Sequence, residues 1–150
     1  MAVLLPTPAP DVLSELMRAG IALAPEQAFK KLVKHTQEGV LCCCAEGAVC
    51  LGAMQAAGYT LDQSVLLLED VDEGGSSAST DPMLSALNER FVVPAPAGLV
   101  DAARLLADEQ GEVRGYAYHT PNLHYALTYL NDELRLSRAA IADLLAQNGL

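Results

Sequence analysis

One short segment, positions 41 to 57, limits what this chain can fold into more than any other. It reads LCCCAEGAVCLGAMQAA and is rich in alanine, glycine and cysteine. The pattern predicts a helix over 43–57. Because Gly47, Ala48 and Gly52 carry little or no side chain, neighbouring elements can approach this helix closely. We therefore expect it to be the central helix of the fold, with Gly47 and Ala48 as structural positions.

All four cysteines of the chain lie in or beside this helix, at Cys42, Cys43, Cys44 and Cys50. Neighbouring residues of a helix point about 100° apart, so three consecutive cysteines cannot all ligate one ion. The spacing of structural zinc sites, a cysteine pair with two to four intervening residues, is also missing. Free cysteine is among the most frequently buried residue types. Buried thiols are thus the favoured interpretation, and we expect no cofactor.

The histidines keep a second interpretation open. A thiolate beside a histidine forms either part of a metal site or a reactive Cys–His pair. The chain has three histidines, His35, His119 and His124, and the sequence shows neither their proximity to the cysteines nor their orientation. A cysteine-dependent redox or metal-binding protein is therefore an alternative.

Helix signals dominate the rest of the chain. Prolines stand at predicted helix starts, and Asp81, Thr120 and Ser137 are placed to cap helices. Thr60 and Gln63 match a capping box, and Gly149 matches a C-terminal stop. The sequence predicts an all-α fold, a compact bundle of seven to eight helices. The expected helices lie near 11–19, 25–38, 43–57, 61–70, 82–90, 98–110, 121–134 and 138–148. Strand character is confined to 112–119.

An internal similarity links two of these helices. The Leu-Ser-Ala-Leu-Asn-Glu segment containing Asn88 resembles the Leu-Thr-Tyr-Leu-Asn-Asp segment containing Asn131, and each precedes a helix that ends in Leu-Leu-Ala. This suggests two related helical hairpins around the central helix. Convergence of leucine- and alanine-rich helices explains the similarity equally well.

The net charge limits the classes of molecule that this protein is expected to bind. A formal net charge of −10 on 150 residues argues against direct binding to nucleic acid or to anionic membranes, since both select basic surfaces. Residues 1–10 form a proline-rich tail without the features of a signal peptide. We expect a single helical domain over 11–150 and a cytoplasmic location, where thiols stay reduced.

The segment 72–81, DEGGSSASTD, is predicted to be a flexible acidic loop. It loosely matches a calcium-binding loop that starts at Asp70, but oxygen ligands are missing at key positions, and a solvated linker is the better interpretation. Its carboxylates are candidates for an interaction surface: Glu69, Asp70, Asp72 and Glu73.

Tyrosines gather near the end of the chain. Tyr125 and Tyr129 lie one helical turn apart, with Asp132 below them. Tyrosine is enriched in protein interfaces, so these three residues are further candidates for a contact surface. Packing of the rings into the core is an equally strong alternative.

Two motifs together suggest a family. Cys44-Ala45-Glu46-Gly47-Ala48-Val49, followed by Leu130-Asn131-Asp132, resembles a family of small uncharacterised bacterial and phage proteins with a Cys-Ala-x-Gly-Ala-aliphatic motif and a later Leu-Asn-Asp motif. The resemblance implies a bacterial or phage origin and a compact helical fold, but no activity. On a physical interpretation, Asn131 bonds backbone groups across a turn and holds the helix of 121–134 against that of 138–148.

These observations favour a protein that is not an enzyme and acts by binding a macromolecule, most simply a protein with a basic face. An accessory role for a phage or mobile element, masking a basic surface, fits the size and charge. The alternatives are the cysteine-dependent protein described above and an obligate self-assembling helical protein, for which a homodimer is the simplest form.

Overall fold

The computed structural model describes residues 12–111 and 121–150, and the fold is mostly helical, as predicted. Within these ranges the chain forms eight α-helices, one π-helical turn and three short strands. Their order is α1 (Leu13–Leu23), β1 (Glu26–Gln27), β2 (Val33–His35), β3 (Leu41–Cys43), α2 (Ala45–Ala56), α3 (Leu61–Asp72), α4 (Ser77–Thr80), α5 (Pro82–Phe91), α6 (Ala97–Glu109), α7 (Leu123–Thr128), the π turn (Tyr129–Glu133) and α8 (Arg138–Gln147).

The prediction of a helix over 25–38 is wrong. This stretch contributes β1 and β2 to a three-stranded sheet in the order β1–β3–β2, with β1 parallel and β2 antiparallel to β3. The local preference for helix is overridden by tertiary contacts. The Asp72 carboxylate of α3 accepts hydrogen bonds from the backbone N–H groups of Leu32 and Val33, at 3.0 and 3.2 Å.

The small residues of α2 do place it at the centre. Every residue from Gly47 to Met54 is buried. A Cβ atom at Gly52 would overlap the backbone carbonyl of Leu16 in α1, and one at Gly20 of α1 would overlap that of Ala48. Helices α1 and α2 therefore pack backbone against backbone. Gly47 lies against the backbone of Leu32, and Ala48 lies against Gly20 of α1.

Most of the predicted caps are present. Thr60 and Gln63 form the reciprocal capping box of α3, Asp81 caps α5 ahead of Pro82, and Ser137 caps α8. The chain leaves α8 through Gly149 at φ +77°, a conformation that favours glycine. Helix α7 is capped by Asn122, which accepts a bond from the N–H of Tyr125 at 2.7 Å. The predicted cap Thr120 lies outside the described residues.

The acidic loop contains structure that its composition did not suggest. The Asp70 carboxylate accepts bonds from both the backbone N–H and the hydroxyl of Ser77, at 3.1 and 2.6 Å, and the short helix α4 begins at that serine. The predicted tail at 1–10 and the strand-like stretch at 112–119 lie outside the described residues.

A single cluster of buried side chains joins the helices. Its largest fully buried members come from seven helical elements: Leu13, Leu16, Met17, Leu51, Met54, Leu68, Leu99, Leu127, Leu130, Ile141 and Leu145. In the two described ranges no helix is both long enough and apolar enough to cross a bilayer.

Candidate functional site

The four cysteines do not share one helix. Cys42 and Cys43 lie in strand β3, Cys44 is the N-cap of α2, and only Cys50 lies within the helix. The predicted helical fan of three consecutive cysteines is therefore wrong, because the chain enters α2 from a strand. All four thiols are free; Cys42, Cys43 and Cys50 are buried and Cys44 is partly buried.

Cys44 has a hydrogen bond that is typical of a helix cap. Its sulfur accepts a hydrogen bond from the N–H of Gly47 at 3.3 Å, as an N-cap side chain does. Burial raises the pKa of the Cys44 thiol to about 12, and the Glu46 and Asp132 carboxylates add to this rise. The thiol is thus protonated at neutral pH and lacks the thiolate character that nucleophilic cysteines require.

Cys43 lies beside a buried arginine. The Arg138 guanidinium, 4% exposed, donates hydrogen bonds to the carbonyls of Ala24 and Pro25 and to the Cys43 sulfur, at 3.0 Å from the sulfur. The two carbonyls follow the C-terminus of α1, where the helix dipole favours a positive charge. Burial raises the pKa of Cys43 even though Arg138 opposes the rise. This contact ties α8 to α1 and β3.

The two described histidines lie beside carboxylates. His35 of β2 lies 4.0 Å from Glu69, and His124 of α7 pairs with Glu46 of α2, while His119 lies outside the described residues. Across 12–111 and 121–150 no group of three histidine, cysteine or acidic side chains is arranged to hold a metal ion.

A cleft of about 390 Å³ opens between α2, α3, α5, α7 and the loop that precedes β2. Its floor is apolar and comes mainly from α3 and α5, through Leu68, Val71, Leu84, Leu87 and Phe91, while Val92, which follows α5 and also lines the cleft, is exposed. Cys44, Cys50, Asn88 and Thr128 also line it. A concave apolar floor with a few converging polar groups is the usual character of a binding site.

Three carboxylates from separate parts of the chain also line this cleft: Glu46 of α2, Asp72 of α3 and Asp132 of the π turn. These carboxylates raise the pKa values of neighbouring titratable groups. Glu46 and Asp132 raise the pKa of His124, chiefly through the Glu46 hydrogen bond, and Glu46 and Asp72 add to the desolvation that raises the pKa of Cys50. The lining therefore brings three carboxylates together, with Lys30 and Lys31 also part of it.

His124 and Glu46 form the closest ion pair in the cleft. The imidazole Nδ1 donates to Glu46 and lies 2.9 and 2.8 Å from its two carboxylate oxygens. The Glu46 side chain is 13% exposed and that of His124 55% exposed, so the histidine covers the carboxylate from the solvent side.

Asn131 joins the two sequence motifs. Its Oδ1 accepts bonds from the N–H of Ala45 at 3.0 Å and from the Gln27 amide at 2.8 Å, and its Nδ2 donates to the carbonyl of Ala28 at 3.0 Å and to Asp132 at 2.7 Å. The residue is 1% exposed. Asn131 does bond backbone groups, but those of Ala28, just after β1, and of Ala45 at the start of α2, whereas the sequence predicted a link to the helix of 138–148.

Asp132 continues this network to the cleft rim. Its Oδ1 accepts the N–H of Lys30 at 2.9 Å, and Lys30 has a left-handed backbone with φ +62°. Asn131 and Asp132 lie in the π turn, a local widening of the helix that is frequently found at functional sites. The turn directs consecutive side chains to the core and to the cleft.

The remaining candidates separate by burial. Asn88 is exposed on α5 while Asn131 is buried, so the two similar segments place their asparagines in different environments. Tyr125 and Tyr129 stack with ring centroids 6.4 Å apart, and only Tyr125 is exposed. Of the acidic group, Asp70 and Asp72 are hydrogen-bonded within the protein, Glu69 lies near His35, and Glu73 is exposed.

Sequence reasoning missed Glu46, Lys30 and Arg138 as site or core residues. Glu46 occupies the variable position of the first motif, and its partner His124 is 78 residues away. Both residues were visible in the sequence, but nothing in the sequence linked them.

Comparisons with protein-family models, with curated protein sequences and with solved structures found no match to this chain.

Proposed function

We propose that this protein is not an enzyme and acts by binding another protein, and that the cleft receives a basic side chain of that partner. The observation that carries the proposal is the convergence of Glu46, Asp72 and Asp132 on one cleft with an apolar floor. A guest with an aliphatic stem and a cationic head matches this arrangement. Lysine and arginine side chains have that chemistry.

The dimensions support a small guest. A volume of about 390 Å³ is near the lower end of the range of ligand pockets, about 300–1,000 Å³. It suits one basic side chain together with an apolar neighbour of the same segment. The stem would lie on the floor residues Leu84, Leu87 and Phe91, and the cationic head would lie near the carboxylates.

The overall charge of −10 supports the same partner, because it steers basic surfaces toward this protein over long range. We propose a cytoplasmic protein of bacterial or phage origin that masks a basic protein surface. The four free thiols suit a reducing compartment.

The cysteine-dependent alternative is less well supported. The pKa of every one of the four thiols is raised, first of all by burial, so the thiolate needed for metal ligation or nucleophilic chemistry is disfavoured in this fold.

Short peptides provide the test. Acetylated and amidated Leu-Lys-Leu and Leu-Arg-Leu are titrated into ¹⁵N-labelled protein at pH 7.5, with Leu-Gln-Leu and Leu-Glu-Leu as controls. We expect the basic peptides to shift the amide resonances of the cleft, and the controls to leave them in place.

Asp132→Asn is the matched variant, because asparagine retains an oxygen that can accept the Lys30 N–H bond while the charge is removed. We expect it to weaken binding of the basic peptides about fivefold to tenfold, the equivalent of about 1 to 1.4 kcal/mol. Asp108→Asn on α6, away from the cleft, removes the same charge and should leave binding unchanged. Equal binding of all four peptides, or equal effects of both variants, would refute the proposal.

A further inference from the structure

We propose that His124 competes with a basic guest for Glu46. The guest must displace His124 from Glu46, and guest binding is therefore coupled to loss of the imidazolium proton. This inference rests on the proposed function and adds its regulation.

The geometry of the pair carries the inference. His124 Nδ1 contacts both oxygens of Glu46, so one imidazole ring engages the whole carboxylate edge. Glu46 is nearly buried at the cleft wall, and the more exposed His124 lies on its solvent side. A guest cation approaching Glu46 from the cleft therefore meets a position that His124 already holds.

The groups around the His124–Glu46 pair influence the protonation of the imidazole. On the cleft walls, Asp132 of the π turn and Asp72 of α3 are negative, and Lys30 and Lys31 of the loop before β2 are positive. Cys44, the N-cap of α2, and Cys50 within α2 are neutral thiols. The Glu46 hydrogen bond raises the pKa of His124 above its ordinary 6.5, with a further contribution from Asp132. The imidazolium form therefore persists to a higher pH than in a free histidine.

The sign of the pH dependence follows. Between the ordinary pKa of a histidine, 6.5, and the raised pKa of His124, a guest must displace an imidazolium, and the displaced ring loses its proton to the buffer because its carboxylate partner is gone. Above that pKa, the ring is neutral and competes weakly. Affinity for a basic guest should therefore rise with pH by up to about tenfold per unit within this range and level off on either side of it.

The first experiment measures Leu-Arg-Leu binding to the full chain from pH 5.5 to 8.5 by calorimetry, in two buffers with different ionisation enthalpies. In the wild type we expect the rising affinity described above and release of up to one proton between pH 6.5 and the raised pKa of His124. His124→Asn should bind more tightly than the wild type at pH 6 and show a flat profile. His35→Asn, which removes the histidine near Glu69, should keep the wild-type profile.

A second measurement needs no guest. The His124 imidazole is titrated by NMR in the wild type and in Glu46→Gln, where its pKa should fall. An unchanged pKa overturns the pairing that this inference requires.

The outcomes separate the two proposals. Absence of peptide binding at every pH, in the wild type and in His124→Asn, overturns both. Binding of basic peptides with the same pH profile in wild type and His124→Asn overturns the competition alone and leaves the cation cleft standing.

Discussion

Replacing Asn131 by alanine tests the network that joins the two motifs. The substitution removes the Asn131 hydrogen bond from each of two buried backbone groups, the N–H of Ala45 and the carbonyl of Ala28. Ala45 is 0% exposed and Ala28 4% exposed, so these groups have little access to solvent. An unpaired buried polar group costs about 1–3 kcal/mol.

Two such groups give an expected loss of about 2–6 kcal/mol, and water entering the vacated space would move the value toward the lower end. The free energy of unfolding of a domain is about 5–15 kcal/mol, so this loss is a large fraction of the total. It also exceeds what the partly buried amide of Gln27 loses, because Gln27 retains its bond to the carbonyl of Leu136 at 2.8 Å.

The assay is urea denaturation followed by far-ultraviolet circular dichroism, with the slope m compared between variants. Asn88→Ala is the matched control, since Asn88 stands in the similar Leu-Asn-Glu segment but is exposed. We expect it to change stability by about 0.5 kcal/mol or less. If Asn131→Ala is no more destabilising than Asn88→Ala, the assignment of Asn131 as a structural connector is wrong.

Three further predictions concern packing, buried charge and the thiols. Gly52→Ala should destabilise the protein by about 1–3 kcal/mol in the same urea assay, because its Cβ would overlap the Leu16 carbonyl. The control Gly98→Ala, whose Cβ meets only the Asn148 side chain, should leave stability unchanged. Equal effects of the two variants would contradict the close α1–α2 contact. Arg138→Met should cost about 2–4 kcal/mol of unfolding free energy, since two carbonyls lose their donor; an unchanged urea midpoint would contradict that role. All four thiols should react slowly with Ellman's reagent in native protein at pH 7.5 and rapidly in urea, since burial raises their pKa values. One thiol that reacts rapidly in native protein would restore the cysteine-dependent alternative.

The helical elements were largely predictable from the sequence because their signals are local. A cap, a proline and a periodic apolar stripe act within one or two turns, as at Thr60, Asp81 and Ser137. The central position of α2 was predictable for a related reason, since residues without bulky side chains permit close approach whichever partner arrives.

Which elements pack around α2, and in what conformation, was decided by the tertiary structure. Local preference indicated a helix over 25–38, but pairing with β3 holds Val33 extended, and the Asp72 carboxylate binds the N–H groups of Leu32 and Val33. The same strand removes Cys42 and Cys43 from the helix on which their geometry was predicted. A hydrogen bond between residues about forty positions apart leaves no periodic pattern in the sequence.

The cleft depends on such distant contacts entirely. Glu46, Asp72 and Asp132 are each ordinary acidic residues in their own segments, and His124 belongs to none of those segments. The sequence by itself determined the net charge, the helices and the small-residue surface of α2. Only the tertiary structure decided which charges face one another, because electrostatic interaction depends on distance in space and the chain crosses the cleft from separate elements.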